Sequence, residues 1–498
     1  MTSTPPPDRG SAEPRPLLIV VAVAALARLA MLGMYPLVDP TESRYAEIGR
    51  RMAELGDWIT PWIGDSVPFW GKPPFSFWLT AGSFRLYGIG EFTARLPHWI
   101  CGGLVLLILW DWAKRRSRRE AACAVALSAG SALFFAETGA VTTDMALALG
   151  MMMAMRGFWL AMHGPVAARW REEWMLILGM VVGLLAKGPL ALVLAGLPIA
   201  AWAISTGNFR RLFATLHWKS ALLGILALSV PWYVLAEGRT PGFLDYFIVG
   251  EHWERFLVSG WTGDLYGHSH AFPRGTIWLF ALLALLPWSV LVPLAAWRWR
   301  HLAQPALPED RSLLAYLGAW ALAPCVVFTL SGNILWTYVL PGVPAAAMAA
   351  AVWLARLATR RVERQLLAGG VALTAAVGLA LVVAFNAGGW ERETSTRSLV
   401  HDYEMRRNEG EPLIFYRKRP LSGAFYSDGR AGEAMTAAEL QARLAEGPAW
   451  VALKGRHSEQ LPEHLLDALQ PATRGGEYDL YYAGPRMRHA LAPPAGAQ

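Results

Sequence analysis

Charge is the first shortage. Only 17% of the 498 residues are Asp, Glu, Lys or Arg, against about 25% in an ordinary soluble chain. With 54% hydrophobic residues and a mean hydropathy of +0.30, this excludes a typical soluble protein and implies a polytopic α-helical membrane protein. Cysteine is scarce as well: Cys101, Cys123 and Cys325 each sit inside an apolar run. Their spacing excludes a disulfide scaffold and a cysteine-based metal module and leaves them as packing residues. No fixed-period repeat is visible. The net charge of +7 comes from basic residues in short loops between apolar runs, which membrane orientation explains without a nucleic-acid partner.

What is present is a series of apolar runs. The run 17–35 is long enough to cross about 30 Å of hydrocarbon, and its continuity past Arg28 favours a retained span over a cleaved signal peptide. Arg28 is read as buried against other helices or snorkelling. Further spans are drawn at 92–113, 120–137, 143–163, 173–187, 189–206, 219–237, 276–297, 312–331, 334–355 and 365–386, about eleven in all. Basic residues cluster at Lys114–Arg119, Arg169 and Arg171, Arg210 and Arg211, Arg298 and Arg300, and Arg356–Arg364. Those loops are expected on the cytoplasmic side. The alternate loops, 38–90 and 238–275, then face outward, as does the tail.

The expected organisation is a disordered cytoplasmic stretch 1–16, a transmembrane domain 17–386 and a small external α/β domain 387–498. In that tail, Pro412–Tyr416, Ala449–Lys454 and Glu477–Tyr482 read as strands. Thr436 to Glu439 reads as a capping box opening a helix that Gly447 stops.

The chemistry concentrates in the outer loops. Asp39-Pro40-Thr41-Glu42 opens a helix whose apolar face is Tyr45, Ile48, Met52 and Leu55. Asp39 there is either a helix cap, with Glu42 as its reciprocal acid, or an active-site acid, or both. Arg44 lies on the same helix. Downstream, Phe69-Trp70-Gly71-Lys72-Pro73-Pro74 brings a lysine out between aromatics. Asp144, Lys187 beside Gly188-Pro189, and the loop bearing Glu251, His252, Arg255, His268 and His270 complete the set. Ionisable residues near membrane depth are functional candidates. Lys72, Lys187 and Arg255 suit a phosphate, and Asp39, Glu42 or Asp144 suits a proton or a divalent cation. No compact metal-ligand signature accompanies them, so a divalent metal ion is a candidate and no more.

The run from Pro40 to Pro61 (PTESRYAEIGRRMAELGDWITP), followed by KPPFSFW from Lys72, resembles the first periplasmic loop of the bacterial aminoarabinose transferases. These lie within the protein mannosyltransferase-like, C-type glycosyltransferases. Similar stretches follow in the family's order: TTDMAL at Asp144, LLAKGPLAL at Lys187, PWYVLAE leading to EHWERF, PRGTIWLFALLALLPW, and SGNILWTYVLPGVPA. The resemblance spans roughly residues 17 to 350 and implies the C-type membrane fold. It implies an enzyme of the bacterial inner membrane that takes a sugar from a polyprenyl (undecaprenyl) phosphate carrier. Transfer would proceed with inversion, to an acceptor such as lipid A, lipopolysaccharide or another glycan.

By the same resemblance Lys72 contacts phosphate, Asp144 is the second outer-loop acid, Arg255 and His270 lie in the long periplasmic loop, and Tyr338 stands near the donor phosphate. Glu42 matches the second acid of an Asp-Glu pair. Thr41 stands where the pattern has the first acid, Gly71 where an acid precedes the lysine, and Asn333 where lysine is frequent. Asp39 is then the first choice of base and Glu42 the second. A lipid-linked sugar flippase or other secondary transporter is the alternative, since it too places charges near membrane depth.

Overall fold

The computed structural model describes residues 15–267, 270–299, 308–357 and 360–484. Nearly all of the expectation for residues 1–16 lies outside these, as do His268 and the last residues of the tail. The chain is a polytopic helical membrane protein. Among the described residues, six helices are long and apolar enough to cross a membrane: Glu91–Ala113, Asp144–His163, Trp218–Arg239, Asp310–Thr329, Trp336–Arg356 and Arg361–Ala387. A seventh arises if Thr276–Ala284 and Trp288–Arg298, bent by 79°, form one span. The other segments drawn as spans are also helical, but shorter or more charged. Arg15–Met31 has 17 residues, Leu190–Ser205 has 16, and Arg169–Lys187 begins RWREE. The run 120–137 divides into Arg118–Ala129 and Ala132–Glu137. At the break, a Cβ on Gly130 would meet the Trp288 ring at 2.6 Å.

The chain forms two compact units. The first comprises the described residues of Met1–Ala30, Phe69–Ser76 and Leu96–Gly378. Its helices pack through small residues. Gly150, Gly157 and Gly179 bring Asp144–His163 so close to Arg169–Lys187 that a Cβ at Gly150 would lie 2.7 Å from the backbone of Gly179 and Gly183, the kind of approach that drives association where lipid offers no hydrophobic gain. The basic helix ends are tied by ion pairs. Arg116 and Arg356 both pair with the fully buried Asp310, Arg119 pairs with Glu363, and Arg156 bridges Asp111 and Glu172. Arg28 is buried, not snorkelling: Nε donates to the Phe135 carbonyl (3.0 Å) and Nη2 to that of Ala136 (2.8 Å). These carbonyls lie in the last turn of Ala132–Glu137, where the regular helical donors run out, and they also accept from the Thr138 hydroxyl (2.8 Å, at Phe135) and the Gly139 amide (3.1 Å, at Ala136).

The second unit comprises Met31–Pro68, Phe77–Arg95 and the described residues from Leu379 onward. Its sheet holds β1 (Leu413–Tyr416), β2 (Gly432–Ala434), β3 (Ala449–Lys454), β4 (Gln470–Thr473) and β5 (Tyr478–Ala483), in the order β2-β1-β3-β5-β4. The β1 strand is parallel to β2 and β3, while β5 runs antiparallel to β3 and β4. Period-two alternation sends Ile414, Val451 and Leu453 to one face, under Leu440 and Leu444 of helix Ala437–Glu446. It sends Phe415, Trp450 and Leu480 to the other, under Leu399 and Tyr403 of helix Arg397–Arg406. Thr436 caps its helix as the sequence predicts, accepting from the Glu439 amide at 3.2 Å. The edge strands β2 and β4 escape the sequence reading: GEA and QPAT lack apolar alternation, and Pro471 is tolerated only because β4 is an edge.

Candidate active site

The helix Thr41–Leu55 buries Tyr45, Ile48 and Met52 as its pattern requires, but Leu55 is 59% exposed and not part of that face. Its N-terminus corrects the capping expectation. Pro40 occupies the cap position and no side chain caps the helix. The Asp39 carboxylate accepts instead from the Ser422 amide (3.0 Å), the Ser422 hydroxyl and the Ser43 hydroxyl. Burial raises the Asp39 pKa above its ordinary 3.8 and outweighs those hydrogen bonds, which lower it. Glu42 does not close a capping box with Asp39 either. Its two oxygens receive Nε and Nη2 of Arg95, each at 2.7 Å, and one also accepts from the Val38 amide at 3.2 Å. Arg95 in turn donates to the carbonyls of Leu32, Tyr35 and Pro36. Arg44 is half-buried on this helix.

The remaining candidates are assembled in the first unit. Lys72 leaves a proline-stiffened turn, and its ammonium donates to Glu251 (3.0 Å) and to the Gly71 carbonyl (2.5 Å). Trp70 anchors that turn, its amide donating to the Tyr266 hydroxyl and its indole to Thr240, both at 3.0 Å. Glu251 lies in the π-helical segment Asp245–Glu254, and Arg255 begins the short helix that follows. One Arg255 nitrogen reaches both Glu251 oxygens (2.9 and 3.1 Å) and stands 3.4 Å from Asp264. Two cations from distant segments therefore converge on one carboxylate. Burial alone would raise the Glu251 pKa, but Lys72 and Arg255 overcome it and hold it below the ordinary 4.5. Burial likewise opposes the charge on Arg255, yet Glu251, Tyr338 and Asp264 raise its pKa on balance.

Beside this cluster, the helix Arg169–Lys187 ends at Gly188, whose φ of +76° suits glycine and where a Cβ would meet Phe247 at 2.6 Å. The turn delivers the buried Lys187 ammonium to Asp144 (2.5 Å), 4.6 Å from the Tyr338 ring centroid. His252 ties the two groups together: one ring nitrogen lies 3.1 Å from the Lys187 carbonyl and the other 2.7 Å from that of Phe247. Burial lowers the His252 pKa below 6.5. His270 is exposed, and its carbonyl accepts from the Ile334 amide at 3.1 Å. Asp264 and Tyr246, the latter 3.4 Å from Glu251 through its hydroxyl, were absent from the sequence candidates. Their signal was available: both flank Glu251 and Arg255 within one polar, aromatic loop.

Among the described residues, no three His, Cys, Asp or Glu side chains gather as a metal-ligand set. The acids proposed for that task are engaged by serines (Asp39), Arg95 (Glu42) and Lys187 (Asp144). Among the described residues these acids do not form a divalent site. What the first-unit cluster can do is hold a phosphate among Lys72, Arg255, Lys187 and Tyr338, since charge-assisted donors there already bind carboxylate oxygens.

Residues 17–247 match the family profile of the dolichyl-phosphate-mannose-protein mannosyltransferases. The chain is 30% identical over 339 residues to the undecaprenyl phosphate-alpha-4-amino-4-deoxy-L-arabinose arabinosyl transferase 2 of Sodalis glossinidius, covering 66% of this chain and 57% of that protein. It is 29% identical over 315 residues to the corresponding transferase of Edwardsiella ictaluri, covering 61% and 53%. The chain thus spans little more than half the length of these relatives. Its fold matches the crystal structure of ArnT from Cupriavidus metallidurans bound to undecaprenyl phosphate, with a TM-score of 0.78 at 22% identity over 98% of this chain and 100% of that one. The fold is therefore that of the C-type membrane glycosyltransferases. In sequence the chain is similar to the aminoarabinose transferases.

Proposed function

We propose that this chain is an inverting glycosyltransferase of the bacterial inner membrane. It takes a sugar from undecaprenyl phosphate or a related polyprenyl phosphate and transfers it, at the periplasmic face, to lipid A or another envelope glycan. The observation that carries the reading is the convergence of Lys72 and Arg255 on Glu251. Support also comes from the similar undecaprenyl phosphate-aminoarabinose transferases and from the matching structure, which is bound to undecaprenyl phosphate.

In this reading an acceptor oxygen attacks the anomeric carbon as the bond to the carrier phosphate breaks, and the bond electrons pass to the phosphate. Lys72, Arg255 and Tyr338 stabilise that growing charge, with Lys187 beside them. Such a contact is worth on the order of 10²- to 10³-fold in rate. Asp39 and Glu42 serve the architecture of their own unit. Asp144 is the acid left to take a hydroxyl proton, and an acceptor phosphate requires no base. Arg44 and His270 have no assigned step. The loops 38–90 and 238–275 and the C-terminal domain lie on the periplasmic side.

The test is transfer by the purified chain in detergent, from an undecaprenyl-phosphate-linked amino sugar to lipid A. Product in a system without compartments excludes a flippase. Lys72→Ala should lose at least about 100-fold in turnover, and near-normal turnover would sink the phosphate assignment.

A further inference from the structure

Arg255 does not hold its own place. The helix that it opens ends after Leu257, and its last carbonyls would be without partners. Asn333, 78 residues further along the chain and 5% exposed, supplies them: its amide nitrogen donates to the carbonyls of Arg255 (2.5 Å) and Val258 (2.6 Å), and its amide oxygen accepts from the Gly260 amide (3.2 Å). Two carbonyls and one N–H leave a single sensible amide orientation and use both donors, so this side chain has no N–H left for a ligand.

The surrounding backbone makes the same grip. Gly332 donates to the Phe256 carbonyl (3.3 Å), and a Cβ there would stand 2.8 Å from Ser259. Gly332 and Ile334 also pair with Phe272 and His270 at 3.3 and 3.1 Å. Residues 332–334 thus clamp both ends of the segment that carries Arg255 and Asp264. Tyr338 follows on the same stretch, in the 3-10 helix Trp336–Gly342.

We infer that Asn333 is a positioning residue: it fixes the backbone of Arg255 so that the guanidinium faces the carrier phosphate. This rests on the phosphate role proposed above for Arg255. Losing two buried donors should cost about tenfold in affinity.

The experiment measures undecaprenyl phosphate binding and steady-state transfer by the purified full-length chain. It compares the parent, Asn333→Ala, Asn333→Asp, Arg255→Ala, Lys72→Ala, and Asn333→Ala combined with each of the last two. Asn333→Asp keeps the shape and removes both donors, so it decides the matter if the alanine variant fails to fold. Expected are roughly tenfold weaker binding and a raised donor KM for both Asn333 variants. The same loss should appear in the Lys72→Ala background, and less than about twofold in the Arg255→Ala background. An equal loss in both backgrounds means a general structural defect and overturns the inference, as does no loss at all. If Arg255→Ala and Lys72→Ala bind like the parent, the phosphate reading itself fails. If they lose binding while the Asn333 variants keep it, only the positioning role fails.

Discussion

Asp39 and Ser422, 383 residues apart, are joined twice: the Ser422 amide donates to one carboxylate oxygen of Asp39 at 3.0 Å and its hydroxyl to the other. Around them the Tyr426 hydroxyl accepts from the Leu37 amide (2.7 Å), and the Asp39 amide donates to the Thr394 carbonyl (2.9 Å). The stretch after the first helix is thus fastened to the C-terminal sheet domain within one unit.

Ser422→Ala should destabilise this unit by about 2 kcal/mol, the range for hydrogen bonds to a charged group. Ser422→Ala and Asp39→Ala should be strongly non-additive in thermal unfolding. Asp39 has a raised pKa, so its contribution is fully present below 3.8 and lost as pH rises through the raised value. The stability of Asp39→Asn relative to the parent should therefore improve as pH rises from 3.8 to that value and level off above it. A constant difference would show that Asp39 is not desolvated.

Glu251 behaves oppositely. Its pKa lies below 4.5, so its contribution is present above 4.5 and lost as pH falls through the depressed value. Acid unfolding of Glu251→Gln should lack that component. With the competing carboxylate gone, the variant should also bind undecaprenyl phosphate more tightly, by about tenfold if the relief is worth ~1.4 kcal/mol.

Arg95 is 0% exposed and pairs with Glu42 while holding three carbonyls. Arg95→Ala should cost about 3–5 kcal/mol, as expected when one partner of a buried pair is removed. Arg95→Lys should recover only part of this, because an ammonium lacks the planar fork. Chemical denaturation of the detergent-solubilised variants measures both.

Asp144 and Lys187 make a second buried pair. Each single substitution, Asp144→Asn or Lys187→Met, should lower the thermal midpoint more than the double variant does, because the singles strand a charge. Transfer should stay low in all three, since each variant lacks the acid, the lysine or both.

Much of this was legible along the chain. Hydropathy marked the helices, alternation marked β1, β3 and β5, and Lys72, Asp144, Lys187, Glu251 and Arg255 stood out as charges among apolar neighbours. Asp-Pro-Thr-Glu carries a local helix-start pattern that offered Asp39 as a cap, an active-site acid or both, and local patterns cannot reveal a partner at Ser422. Asp264 and Tyr246 were passed over because an acid or a tyrosine in a polar loop is ordinary until a cation is found beside it.

By itself, the sequence determined that the chain is a multi-pass helical membrane protein with a small sheet domain, because period and apolarity are local properties that burial must satisfy. It also selected Lys72, Asp144, Lys187, Glu251 and Arg255, while Tyr338 came in only through the family resemblance. Only the tertiary structure decided how these charges pair: Lys72 and Arg255 on Glu251, Lys187 on Asp144, Arg95 on Glu42, and Asp39 on Ser422. An electrostatic partner is chosen by distance in space, which sequence separation does not encode.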